Sequence, residues 1–138
     1  MTDREEIVAA ARSWIGVRWQ HQGRSRAGGI DCIGLLVVVA HSLGIAITDS
    51  AGYRRRQDGR QLLFQLECQL DKKFVTDWKE GDIAVFEESA FPIHVGFLAG
   101  QVGAGTVIHA HARRRQVIEE PLAQYGQPFA VFSLREVK

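Results

Sequence analysis

The sequence predicts an α+β domain, with helices in the first half of the chain and an antiparallel β-sheet in the second. Apolar residues recur at helical spacing up to about Leu70, whereas after Asp82 short apolar runs are separated by glycine and proline. The 138 residues are enough for one hydrophobic core and too few for two. We therefore expect residues 1–138 to form a single domain.

Composition and charge exclude several classes of function. Hydrophobic residues make up 46% and charged residues 24% of the chain, which is typical of soluble globular proteins. The 17 basic side chains nearly balance the 16 acidic ones, so no global field attracts nucleic acid or a membrane. No apolar run approaches the roughly 20 residues that span a bilayer, and the acidic start is unlike a signal peptide. We expect synthesis in the cytoplasm without an export signal, and neither a nucleic-acid nor a membrane partner.

Two helices are predicted before residue 45. The first covers about residues 3–15, with Thr2 and Glu5 at the spacing of a capping box. The second covers residues 32–43 and ends at Gly44. Because this second helix is apolar on nearly all sides, we expect it to be the buried central helix.

A third helix and five strands are predicted in the rest of the chain. The helix begins near Asp58 and turns four leucines inward, at positions 62, 63, 66 and 70. Turn residues at 77–82 separate it from the strands. The predicted strands cover residues 83–87, 94–99, 106–112, 116–119 and 129–135.

The central helix begins with a residue pair that suits a nucleophile. Asp31 is a natural N-cap, since its carboxylate can accept from the free N–H groups of the first turn. Cys32 then lies where the positive end of the helix dipole favours an anion, which lowers the pKa of a thiol. Most cysteines in such chains are small core residues, but the glycine-rich approach and the histidines favour a catalytic interpretation. Cys32 and Cys68 are both expected to be free thiols.

Histidines on two predicted strands can complete a Cys-His arrangement. His94 begins one strand, and His109 and His111 share one face of the next, because side chains alternate along a strand. If the strands are neighbours, Cys32 can attack as a thiolate while His94 shares its proton and later protonates the leaving amine. A second polar group then orients the His94 ring, and either His109 or His111 can supply it. The backbone N–H of Cys32 is a candidate oxyanion donor.

Four segments resemble, in order, the motifs of the NlpC-type cell-wall cysteine peptidases of the NlpC/p60 superfamily, and the resemblance covers about residues 5–120. The four segments are Gly29–Leu35, Trp78–Phe86, His94–Phe97 and Val107–Ala110. The resemblance implies a papain-like α+β fold whose nucleophile heads a central helix on an antiparallel sheet. It implies hydrolysis of amide bonds in peptidoglycan stem peptides, commonly between D-glutamate and a diamino acid, without metal or cofactor. By motif position, Cys32 matches the nucleophile, His94 the base and His109 the third polar residue.

Two positions depart from the family's pattern and lie where substrate is expected to bind. Ile33 follows the nucleophile where serine is common, so a hydroxyl is missing there. Trp19 is the nearest counterpart of a tyrosine that usually precedes the cysteine, and it offers an indole N–H instead. With Asp31 and His21, these residues are the candidate substrate-binding set.

The small size, the missing signal peptide and the loop His21–Arg24 are similar to the phage tail-associated branch of that family. In that setting, tail proteins are partners and the enzyme reaches the cell wall with the tail. Arginine triplets at 54–56 and 113–115 are typical of solvated faces. As a hypothesis, one of them holds carboxylates of the stem peptide, because arginine binds carboxylates in bidentate fashion.

Three alternatives remain open at this stage. A sheet can present imidazoles to zinc, and His94, His109 and His111 are suitably spaced, although no carboxylate that would orient them is obvious. The chain can also be a non-catalytic tail or wall-binding module with the same fold, which the intact Cys32 disfavours. Within the enzyme class, the acyl-enzyme can be resolved by an amine instead of water.

Overall fold

The computed structural model describes residues 3–49, 60–87 and 94–135, and at Arg60 and Gln61 it describes the backbone alone. Within these residues, three helices are followed by most of the strands, and the α+β class is confirmed. The helices are α1 (Arg4–Arg12), α2 (Cys32–Ser42) and α3 (Arg60–Gln69). The strands are β1 (Arg24–Ser25), β2 (Gly29–Ile30), β3 (Asp71–Lys73), β4 (Ile83–Phe86), β5 (His94–Ala99), β6 (Thr106–His111), β7 (Gln116–Pro121) and β8 (Ala130–Ser133).

Six strands form one antiparallel sheet in the order β3-β8-β4-β5-β6-β7. The five predicted strands correspond to β4–β8, with ends that differ by a few residues. Three strands were not predicted: β3 at the sheet edge, and the pair β1 and β2, which are two residues each. The sequence of β3, Asp-Lys-Lys, carries no apolar alternation, so only its pairing with β8 reveals it as a strand.

Helix α1 begins one residue later and ends three residues earlier than predicted. The predicted capping box is wrong, because the N-cap is Asp3, whose carboxylate accepts from the N–H of Glu6 at 2.9 Å; Thr2 lies outside the described residues. The chain then turns at Ser13–Gly16, where Gly16 has φ +93°. The N–H of Gly16 donates to the carbonyl of Val117 at 2.9 Å, so this turn directs the chain towards β7.

Helix α2 is the buried central helix, as predicted. Seven of its eleven residues are buried, and it packs against α1, β5 and β6. The helix ends at Ser42 with Leu43 as its C-cap, and Gly44 follows with φ +74°, which is the C-terminal arrangement that glycine favours. Helix α3 buries Leu66 and half-buries Leu62 and Leu63, while its predicted start at Asp58 lies outside the described residues.

Alternate residues of the sheet face two different clusters. The helix-facing side belongs to the main core, with residues such as Val85, Val95, Phe97, Ile108, Ala110 and Val117. The opposite side belongs to a smaller cluster, formed by Trp78, Ala84, Phe86, Leu98, Val107 and Val131. By strand alternation, His94 and His109 lie on the side of Leu98 and Val107, away from α1 and α2.

A buried carboxylate joins α1 to the sheet. Asp82 is fully buried and accepts from Arg4 at 2.6 Å, from Lys73 at 2.7 Å and from the N–H of Lys79 at 2.8 Å. A second connection is more exposed: Arg12 donates to both carboxylate oxygens of Glu119 on β7, each at 2.9 Å. These contacts fix α1 against the sheet from both of its ends.

Candidate active site

The segment before α2 runs along one end of the sheet. The N–H of Trp19 donates to the carbonyl of Arg115 at 2.8 Å, and Val117 donates to the carbonyl of Val17 at 2.9 Å. Trp19 also forms a parallel bridge with Ile30. Because Ile30 is only two residues before Cys32, this pairing brings the start of α2 to the end of the sheet where β7 begins.

Asp31 fixes both the start of α2 and the preceding loop. Its carboxylate is buried and accepts from the N–H of Gly34 at 2.8 Å, from the N–H of Gln22 at 2.7 Å and from Arg24 at 3.1 Å. The predicted N-cap is confirmed. Arg24 extends the connection to Asp49, with oxygens at 3.0 Å. The half-buried Cys32 is therefore held on a helix end whose approach loop is tightly hydrogen-bonded.

The loop approaches α2 closely at Gly34. A Cβ at this position would collide with the carbonyl oxygen of Gly23 and would lie 2.8 Å from Cγ1 of Ile30. Glycine therefore lets the loop pack directly against the first turn of the helix.

On the sheet, His94, His109 and Glu120 form a continuous hydrogen-bonded line. Nε2 of His94 lies 2.6 Å from Nδ1 of His109, and Nε2 of His109 lies 2.8 Å from Oε2 of Glu120. His94 is 6% exposed and His109 is fully buried. The three side chains share one face of the sheet. The β6–β7 register pairs Glu120 with Val107, and Val107 lies on the same face as His109 because the two are two residues apart on β6. His94 lies on this face because it alternates with Val95 on β5, which packs in the main core.

Burial disfavours the protonated form of both histidines. It lowers the pKa of His94 well below the ordinary value for histidine, and the rings of His109 and His111 lower it further. Burial also lowers the pKa of His109, while the hydrogen bond to Glu120 and its charge act in the opposite direction. A neutral His94 can accept a proton, as a general base must.

His109, not His111, contacts His94. The Nδ1 atom of His111 instead accepts from the N–H groups of Arg113 and Arg114, at 3.2 and 3.1 Å. A zinc ion bound by all three histidines would have to displace bonds that these ring nitrogens already make. Among residues 3–49, 60–87 and 94–135, no group of three or more His, Cys, Asp or Glu side chains is arranged to hold a metal ion.

The remaining candidate residues lie around the start of α2. Trp19 and His21 are half-buried in the approach loop. Ile33 is 7% exposed and packs in the main core, so its side chain is directed into the protein. The 113–115 triplet is exposed in the turn between β6 and β7, and the 54–56 triplet lies outside the described residues.

Sequence reasoning missed Glu120 and Tyr125. The ring of Tyr125 stands edge-on to His109, with centroids 5.4 Å apart, and lies 5.0 Å from the ring of Phe86. The predicted strand over residues 116–119 stopped one residue before Glu120. The sequence does show an acidic residue two positions after Ile118. To recognise it as a partner of His109, however, one has to know the register of β7 against β6.

None of the described helices is both long and apolar enough to cross a bilayer.

The sequence model of the NlpC/P60 family matches residues 16–135, which include the approach loop, α2 and the whole line from His94 to Glu120. The chain belongs to the NlpC/P60 family. The resemblance inferred from the four motifs is thereby confirmed at the level of the family. No curated protein matches the chain in sequence.

Solved structures confirm the NlpC/P60 fold. The NlpC/p60 domain of the peptidoglycan hydrolase SagA is 24% identical with a TM-score of 0.69, over 96% of this chain and 100% of that one. The P60 domain of an antigen from M. avium subspecies paratuberculosis is 20% identical with a TM-score of 0.66, over 94% and 93%. The peptidoglycan hydrolase RipB of Mycobacterium tuberculosis is 23% identical with a TM-score of 0.62, over 94% and 63%.

Proposed function

We propose that this NlpC/P60 protein is a cysteine peptidase that hydrolyses amide bonds in peptidoglycan stem peptides. Cys32 is the nucleophile, His94 the base and His109 the residue that orients His94. The observation that carries the proposal is the 2.6 Å contact between His94 and His109, both buried, in a chain whose cysteine heads the central helix. Family membership and the structural likeness to two peptidoglycan hydrolases support the same substrate class.

The two parts of the site lie at the same end of the sheet. His94 opens β5, and the β5–β6 register brings His94 to the end of the sheet where β6 closes with His111 and β7 opens with Gln116. The approach loop of Cys32 pairs with that same start of β7. Because His94 lies on the sheet face away from α2, we propose that the Cys32 thiol and the His94 imidazole approach each other across this end of the sheet.

In this proposal, His94 accepts the proton of Cys32 on its Nδ1 atom. Its Nε2 is engaged with His109, so Nδ1 is the ring nitrogen available to the Cys32 thiol. In the proposed reaction, the thiolate attacks the amide carbon and the backbone N–H of Cys32 stabilises the oxyanion. The protonated His94 then protonates the leaving amine, the C–N bond breaks, and water hydrolyses the thioester.

The finer parts of the proposal concern substrate and setting. The bond is of the D-glutamyl to diamino acid type, and Trp19, His21, Asp31 and Ile33 bound the substrate-binding side. Asp31 and Ile33 act there through the shape of the helix start, because both side chains are buried. The similarity of the loop His21–Arg24 to phage tail-associated members supports delivery to the cell wall as part of a phage tail.

The test is the alkylation rate of each cysteine by iodoacetamide as a function of pH, together with digestion of purified peptidoglycan. Cys68 is an exposed free thiol on α3 and serves as the internal reference. We expect Cys32 to react at lower pH than Cys68 and to lose this advantage in His94→Ala. The matched control is His41→Ala, because His41 is an exposed residue of α2 whose ring Nε2 lies 2.8 Å from the carbonyl oxygen of Ile47.

The digestion assay decides between hydrolysis and the other functions. We expect new amine termini with the parent and none with Cys32→Ala, and a loss of roughly 10²–10⁴-fold with His94→Ala. If Cys32 behaves like Cys68 and no peptide is cleaved, the protein is a binding module. Stoichiometric zinc in the purified protein would favour the zinc site, and products joined to an added amine would indicate acyl transfer.

A further inference from the structure

The mechanism above leaves one buried contact without a role. Glu120 lies beyond the pair of histidines, with Oε2 2.8 Å from Nε2 of His109, and its side chain is 13% exposed. Its neighbour Glu119 points to the other face of β7, where it accepts from Arg12 and Thr106. The carboxylates of Glu119 and Glu120 therefore make their hydrogen bonds on opposite faces of the sheet.

The direction of the hydrogen bonds follows from the chemistry of the last acceptor. An ionised carboxylate only accepts, so Nε2 of His109 must carry the proton. A neutral His109 with a proton on Nε2 has a lone pair on Nδ1, and Nε2 of His94 must then be the donor across the 2.6 Å contact. A neutral His94 that is protonated on Nε2 has its lone pair on Nδ1.

We infer that Glu120 is a positioning residue that acts through His109 to fix His94 with its proton on Nε2 and its lone pair on Nδ1. This inference deepens the proposed function and rests on it for its catalytic consequence. When His94 takes the proton of Cys32, the resulting imidazolium donates to His109 in the direction already set by Glu120. The opposite tautomer of His94 would present a proton, not a lone pair, to the thiol.

The residues around His94 and His109 leave Glu120 as the last hydrogen-bond acceptor of this line of side chains. The ring of His111 lies 5.2 Å from that of His109, but its Nδ1 accepts from the backbone of the 113–115 turn. The rings of Phe86 and Tyr125 cover the histidines with apolar edges and faces. A variant at Glu120 therefore removes the one carboxylate that His109 contacts in the described part of the chain.

The test measures the ring nitrogens of His94 directly, by long-range ¹⁵N–¹H spectra of protein labelled with ¹⁵N-histidine at neutral pH. Signals of the five histidines are assigned by their loss in His94→Gln and His109→Gln. We expect Nδ1 of His94 to be unprotonated and Nε2 protonated in the parent. Glu120→Leu removes the acceptor, so a mixture of the two tautomers is expected, whereas Glu120→Gln retains a carbonyl acceptor and gives a smaller change.

Activity and a neighbouring variant separate positioning from folding. We expect kcat/KM to fall about 100-fold in Glu120→Leu and about 10-fold in Glu120→Gln, since a base held in the wrong tautomer is ineffective. Glu119→Gln makes the same change on the other face of β7. We expect it to leave the His94 spectrum unchanged and to change kcat/KM by less than about twofold.

Each result bears on one of the two proposals. A parent His94 protonated on Nδ1, or a His94 spectrum that is unchanged in Glu120→Leu, overturns the role of Glu120. Absence of peptidoglycan cleavage by the parent overturns the proposed function, while the ring spectra still decide whether Glu120 sets the tautomer.

Discussion

The two faces of the six-stranded sheet are made by alternate residues of the same strands, yet one face buries apolar side chains and the other also buries hydrogen-bonded histidines. On β5, Val95 and Phe97 join the apolar core under the helices, whereas His94 enters a hydrogen-bonded line on the other side. Gly96 makes room for this line, because a Cβ there would lie 3.0 Å from Cβ of His109. Apolar contact tolerates imprecise neighbours, but each buried ring nitrogen requires a particular partner.

The largest expected difference between the two faces is in the free energy of unfolding that a substitution on each face removes. Phe97→Ala removes a fully buried ring from the helix-facing core and should lower the free energy of unfolding by about 3–5 kcal/mol. His94→Gln keeps a side-chain donor for His109 and should cost less than about 1.5 kcal/mol while abolishing activity. Urea denaturation of both variants measures the difference, and an equal loss would show that the histidine face is as structural as the core.

The next effect is a dependence of stability on pH, between about pH 7.5 and about pH 5.5, that comes from the buried histidines. Since burial lowers the pKa of His94 and His109, the unfolded chain binds more protons than the folded one below about pH 6.5. Stability is therefore complete above this pH and falls as the pH decreases, by about 1.4 kcal/mol per pH unit for each histidine that titrates in this way. Denaturation at about pH 7.5 and about pH 5.5 should show a weaker dependence in His94→Gln. The interpretation is wrong if the parent and the variant respond to pH alike.

The smallest effect concerns the ion pair on the helix-facing side. The hydrogen bonds from Arg12 hold the pKa of Glu119 below its usual value, but half of the Arg12 side chain is exposed. Glu119→Gln should therefore lower the free energy of unfolding by less than about 1 kcal/mol. Added salt should reduce the difference between parent and variant further, and a large, salt-insensitive loss would contradict this assignment.

Some sequence signals were misleading because tertiary pairing overrode them. Trp14 and Ile15 continue the helical spacing of α1, yet the helix ends at Arg12. The chain leaves the helix there so that Gly16 and Val17 can pair with Val117 on β7. Local periodicity contains no information about this distant partner.

The sequence by itself determined the end of the candidate site that holds Cys32. Asp31 caps α2, Cys32 begins it and Gly44 follows its end, because capping and helix termination depend on residues within one turn. The strands that carry His94 and His109 were also recognisable from their alternation and their flanking turns. These features need only near neighbours in the chain.

Only the tertiary structure decided how the histidine line is completed. The register of β6 against β7 places Glu120 opposite Val107, on the same face as His109. A slip of one residue would turn Glu120 towards the helices and bring Glu119 to the histidine side. Register is set by the whole sheet and its packing, so neither the choice of His109 over His111 nor the contribution of Glu120 could be read from spacing alone.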